Sequence, residues 1–125
     1  MARIVLIDDN DLFRSMLKEA LIDVGHTVID ASNGKEGLKM FIAGGADLII
    51  TDLVMPEIEG FELMIELQKH GSRAKIIVVS GGVRGNAADF LDIAKRFGAS
   101  KVFAKPFSHH ELLAAINELV PPSAD

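Results

Sequence analysis

Three aspartates, a serine and a lysine carry the chemistry this sequence offers. Asp8 and Asp9 follow the apolar run "RIVLI", Asp52 closes "DLIITD", Ser80 closes "KIIVVS", and Lys105 follows "KVFA". Each therefore stands at the end of a segment with strand character. Carboxylates brought to one place repel one another and call for a cation. A hard divalent ion suits them. Magnesium takes oxygen ligands octahedrally at about 2.0–2.1 Å, keeps several waters, and often uses one or two carboxylates together with a phosphate. Asp9 and Asp52 are the expected direct ligands of Mg2+, and Asp8 could hold a coordinated water. Mn2+, which favours the same oxygen donors, could replace it. Lys105 adds a second positive charge.

These side chains meet only if the chain delivers several strand ends to one edge. Five strand-length runs recur along it, at 3–8, 26–31, 47–52, 75–80 and 101–106, most of them rich in Val and Ile. The first, third and fourth are apolar on both faces, as central parallel strands covered by helices would be. "HTVIDA" is more mixed and suits an edge. Helical patterns lie between the runs. Leu12, Met16, Leu17, Ala20, Leu21 and Val24 keep three-four spacing, with Gly25 after them. Gly37, Leu38, Met40, Phe41 and Ile42 mark a shorter, weaker second helix, and Phe61, Leu63, Met64, Ile65 and Leu67 a third. A fourth spans Asn86 to Phe97. Ser108 can cap a fifth, with Glu111 placed as in a capping box.

Strand and helix alternate five times, which predicts a doubly wound α/β domain: a parallel sheet with helices on both faces. Sites in such sheets lie at the carboxyl ends of the strands, near the point where strand order reverses. That is where the acids, the serine and the lysine fall.

Composition narrows the classes of function. The chain of 125 residues fits one domain, expected over 1–120 with 121–125 as a tail or linker stub. It has no cysteine, which removes disulfides and thiolate metal sites. A formal charge of −5 and the lack of a basic run argue against direct nucleic-acid binding. The apolar run near the amino terminus is too short for a signal peptide or a membrane span, so the cytoplasm is expected. The loop after the first strand, "DDND", repels phosphate unless a metal intervenes, and neither GxxxxGK[ST] nor GxGxxG occurs. His109 and His110 are adjacent and would point apart on a helix, while His26 and His70 sit at element ends, where solvated histidine is common.

Taken together, Asp8-Asp9, Asp52 before "LVMPEIEG", Ser80, and "KPF" at 105–107 resemble the receiver domain of two-component response regulators. The resemblance covers residues 3–120. It implies a five-stranded sheet of order 2-1-3-4-5 with five helices. It also implies that Asp52 accepts a phosphoryl group from a phosphohistidine on a sensor histidine kinase or phosphotransfer protein. Mg2+ would then be held by Asp8, Asp9, Asp52 and the backbone carbonyl of Val54, with Ser80 and Lys105 binding phosphoryl oxygens. Phosphorylation would switch the face made by the fourth helix, fifth strand and fifth helix through Ser80 and Phe103, for a downstream protein target. Such a protein catalyses only its own phosphorylation and dephosphorylation, and acts as a monomer or a phosphorylation-dependent dimer. The family aims its lysine with a cis bond before proline, here Pro106, while Pro56 and Gly60 shape the loop after the acceptor. Phe103 stands where the family more often has tyrosine, and Gly81 where alanine is common.

Each residue also has a plain reading. Asp52 could be a strand-end acid, Asp8 a helix cap, Ser80 a turn residue, Lys105 a surface lysine, and Phe103 simple core. Two other functions compete. An interaction module that is never phosphorylated would not need all five polar residues. A phosphatase with an aspartyl nucleophile would need a general acid two residues after it, where Val54 stands.

Overall fold

The computed structural model describes residues 2–52, 59–70, 73–80, 92, 94–105 and 107–121, with side chains for all of these except 59–61 and 80. Five strands make one parallel sheet in the order β2-β1-β3-β4-β5. They are β1 (Arg3–Ile7), β2 (Thr27–Ala31), β3 (Leu48–Asp52), β4 (Lys75–Ser80) and β5 (Lys101–Ala104). Five helices flank the sheet: α1 (Asp11–Asp23), α2 (Gly34–Gly44), α3 (Glu59–Lys69), α4, whose described residues are 92 and 94–96, and α5 (His109–Leu119). The mixed run "HTVIDA" does form an edge strand. The expected beginning of α4 and the tail from 122 onward lie outside the described residues.

The period of two along each central strand builds both cores. Ile4, Leu6, Leu48, Ile50, Ile77 and Val79 face one side, where Leu17 and Leu21 of α1 and Leu112 and Ile116 of α5 cover them. Val5, Ile7, Ile49, Ile76 and Val78 face the other, under Leu63, Met64 and Leu67 of α3 and Ala94 of α4. A strand buried on both faces has no polar side to spare, so β3 is buried along its whole length.

Local signals set the helix ends. Asn10 caps α1 and Asn33 caps α2, each accepting a bond at 2.9 Å from the amide three residues on. After α1 the Gly25 amide donates to the Ile22 carbonyl and the His26 amide to that of Leu21, with Gly25 at φ 101°. This is a Schellman closure, and Gly98 closes α4 the same way.

Three expectations need correcting. The apolar stripe of α1 has the right period but a shifted phase. Leu17 and Leu21 are buried and Phe13 packs beside them, while Leu12, Met16 and Val24 are exposed. His26 is not solvated: the closure after α1 folds it inward, where its Nδ1 accepts the Ala2 amide at 3.2 Å. That bond requires a bare Nδ1, and burial pushes the imidazole below its ordinary pKa. In α5, Ser108 does cap the helix, but its hydroxyl accepts from the His110 amide, one residue earlier than the box arrangement places it.

Gly37 marks a close approach of α2 to the sheet. A Cβ there would meet the Ile7 side chain at about van der Waals overlap, closer than real side chains come. Gly37→Ala should therefore lower stability by about 1–3 kcal/mol despite alanine's better helix propensity, read as a lower urea midpoint at unchanged slope.

Candidate functional site

The register places the polar residues at one edge. Ile7 pairs with Thr51, so Asp8 and Asp52 are the next step on two neighbouring strands. Asp52 pairs with Val79, and Ser80 with Ala104, so Ser80 falls one residue further along the same edge and Lys105 two. The β1–β3 crevice is also where the strand order reverses.

Here the carboxylates converge. One oxygen each from Asp8, Asp9 and Asp52 lie within 4.8 Å of one another. Asp8 is fully buried, Asp52 is 5% exposed, and Asp9 is open to solvent. Lys105 Nζ donates to Asp8 Oδ2 at 2.8 Å and to Asp52 Oδ2 at 3.3 Å. A buried carboxylate is tolerated when it is paired and hydrogen-bonded. Asp8 meets both conditions, since its Oδ1 accepts the Asn10 amide at 2.9 Å. Among the described residues, three carboxylates face one ammonium, which leaves a formal charge of two negatives for a divalent cation to balance. All three donors are hard oxygens, so the set fits Mg2+.

The structure thus brings together Asp8, Asp9, Asp52 and Lys105 of the residues singled out in the sequence. Ser80 ends β4 at the same edge, and its side chain lies outside the described residues. So do Val54, Pro56 and Pro106. Gly60 lies in the first turn of α3. Phe103, on β5, is half-buried, with its ring 5.5 Å from that of Phe107.

Two residues that frame the site are not apparent from the sequence. Arg14 donates from a terminal guanidinium nitrogen to the Asp8 carbonyl at 2.7 Å, from Nε to Asp30 Oδ2 at 3.0 Å, and to Asp11 Oδ1 at 2.7 Å. It braces the acid loop against β2. Phe13 lies under Lys105, with Nζ 4.0 Å from its ring centroid. Both follow the acid pair within one or two helical turns. That proximity was the available signal, but an arginine and a phenylalanine on an amphipathic helix read as surface and core.

Comparison with known proteins identifies the family. The chain belongs to the response regulator receiver domain family, whose model matches residues 4–117. It is 33% identical over 118 residues to the probable transcriptional regulator ycf29 of Pyropia yezoensis, covering 94% of this chain and 53% of that protein. To the chemotaxis protein CheY of Thermotoga maritima it is 31% identical, covering 94% of this chain and 96% of that one. A receiver domain structure from Clostridium thermocellum superposes with a TM-score of 0.85 at 30% identity, covering 96% of this chain and 94% of the other. The chain thus spans about half of the ycf29 regulator and nearly all of the chemotaxis protein. Receiver domains are modules of two-component signalling, generally not enzymes, that interact with sensor kinases and effectors and typically bind Mg2+. Among the described residues, no helix is long and apolar enough to cross a membrane.

The brace has its own pH signature. Lys18 donates to Asp30 Oδ1 at 2.7 Å, and this bond, with that from Arg14, holds the Asp30 carboxyl below its usual 3.8 against the opposing pull of partial burial. A depressed folded value means that the stabilisation is complete above 3.8 and is lost as pH falls through it to the folded value. Asp30→Asn should cost about 1–2 kcal/mol near neutral pH, allowing for partial exposure. In urea titrations across pH, the gap from wild type should close in acid.

Proposed function

We propose that this chain is a phosphoryl-accepting switch, with Asp52 as the acceptor. The observation that carries the reading is the setting of Asp52: a nearly buried carboxylate at a strand end, grouped with two other carboxylates and 3.3 Å from an ammonium. The donor is a phosphohistidine on a sensor histidine kinase or phosphotransfer protein. An Asp52 oxygen forms a bond to phosphorus as the phosphorus–nitrogen bond breaks, and the electron pair of that bond stays with the imidazole. Asp9, Asp52 and the Val54 carbonyl would hold Mg2+ directly, and Asp8 would hold it through a water. When bound, the ion neutralises phosphoryl oxygens and aligns the transfer. Lys105 pairs with one phosphoryl oxygen as a point charge, and the Ser80 hydroxyl donates to another.

Asp8 and Asp9 are less suited to accept the group. Both oxygens of Asp8 are engaged, by an amide and by the ammonium, and Asp9 lies out in solvent. A protein donor also has an apolar landing beside the acids. Leu12 and Met16, one helical turn apart on α1, are 71% and 54% exposed. Phosphorylation replaces the single carboxylate charge of Asp52 with a phosphoryl group of roughly −1.5 to −2 that carries three acceptor oxygens. Ser80 and Phe103 then shift the α4-β5-α5 face toward the form that a downstream protein recognises. Only a difference in affinity between the two forms can drive such a shift.

Incubation with acetyl phosphate and Mg2+, followed by intact-mass measurement, tests this. Wild type should gain the mass of one phosphoryl group, and should not when the metal is chelated. Asp52→Asn should stay unmodified. A wild type that gains nothing overturns the reading.

A further inference from the structure

We propose that Phe13 is a positioning residue for Lys105, and that it links the lysine to Phe103 through Phe107. The first half concerns the resting protein alone. The consequence for phosphoryl uptake rests on the function proposed above.

Lysine is a point charge on a flexible stem, so two carboxylates fix its ammonium only from one side. At 4.0 Å from the ring centroid, Lys105 Nζ lies well inside cation–π range of Phe13. A ring face attracts the ammonium through its quadrupole without adding formal charge. That matters here, because a further carboxylate would deepen the repulsion among Asp8, Asp9 and Asp52. The placement of the ring is tied to that of the acids through one residue. The Asn10 amide donates to Asp8 Oδ1, while the Asn10 side chain accepts the Phe13 amide. The acid and the ring on either side of the ammonium therefore share one anchor.

The ring contacts continue. Phe13 meets Phe107 edge-on, with centroids 5.8 Å apart and planes at 78°. Phe107 meets Phe103 at 5.5 Å and 41°. All three pack against the same core cluster. A lysine drawn toward new charge on Asp52 leaves the Phe13 face, and the loss is felt at Phe103 by a route that does not use Ser80.

NMR of the unphosphorylated protein tests the contact. The Lys105 Hε protons should be shifted upfield by the ring in wild type, and the shift should vanish in Phe13→Leu. Ordinary positions in wild type would overturn the proposal. For the link, Lys105→Met should move the Phe103 ring signals in the wild-type background and not in Phe13→Leu. Equal movement in both backgrounds would overturn it. Uptake from acetyl phosphate with Mg2+ should slow about three- to tenfold in Phe13→Leu, consistent with the strength of such contacts. Trifluorophenylalanine at position 13, which keeps the ring volume but weakens its negative face, should also slow uptake. This separates aiming from folding, and unchanged rates in both proteins would sink the aiming role. Failure of wild type to take up phosphate would count against the phosphoryl reading only, since the proton shift needs no donor.

Discussion

The arrangement depends on one ammonium. Asp8 has no solvent to screen it, and Asp52 has almost none. Two such carboxylates on adjacent strands would destabilise the sheet edge without an opposite charge between them. Lys105 supplies it from the far strand of the sheet, 97 residues from Asp8 in sequence. The acid pair on β1 and the lysine after β5 therefore belong to one electrostatic unit. That unit exists only once the whole sheet is assembled.

The parallel sheet makes the arrangement possible. In parallel strands every carboxyl end points the same way, so one polar residue per strand is enough to build a site. The period of two then commits the remaining residues to the two cores. Ile7 and Thr51 finish the ladder between β1 and β3, and Asp8 and Asp52 follow as the first acids on their strands. The helices add precision. Asn10 starts α1 and also ties down Asp8, and Arg14, one turn later, grips the Asp8 carbonyl. Helix start and acid loop are thus one hydrogen-bonded structure.

The sequence was most legible where the physics is periodic or local. Five strand-length runs marked the strands, and the three central ones stood out because a strand buried on both faces leaves an unbroken apolar word. Gly25 marked the end of α1 because that closure needs positive φ. The meeting of Asp8, Asp9, Asp52 and Lys105 followed from strand direction alone. Less legible was anything set by tertiary phase. Leu12 and Met16 fit the helical period of α1 as well as Leu17 and Leu21 do, and only contact with the sheet separates them. His26 looked like a solvated end residue because no local pattern reveals that the turn after α1 folds it against Ala2. Phe13 and Arg14 escaped notice because their partners, Lys105 and Asp30, are distant in the chain.

Burial divides the three acids by the freedom each retains. Asp8 is the most enclosed, with both carboxylate oxygens and its carbonyl engaged. It acts as a fixed charge. Asp9, next to it, is exposed and costs little to leave solvated. Asp52 lies between these extremes, with its longer bond to Lys105 at 3.3 Å against 2.8 Å for Asp8. The ammonium is thus held more firmly by the acid that cannot move than by the one on the strand beside it. A new negative group on Asp52 would compete for Lys105 against a single strong bond to Asp8 and one ring face. That competition is decided by charge over a few ångströms, in a setting where solvent screens little. A small chemical change at this edge therefore has a side chain ready to respond, and that side chain already touches the aromatic cluster leading to β5.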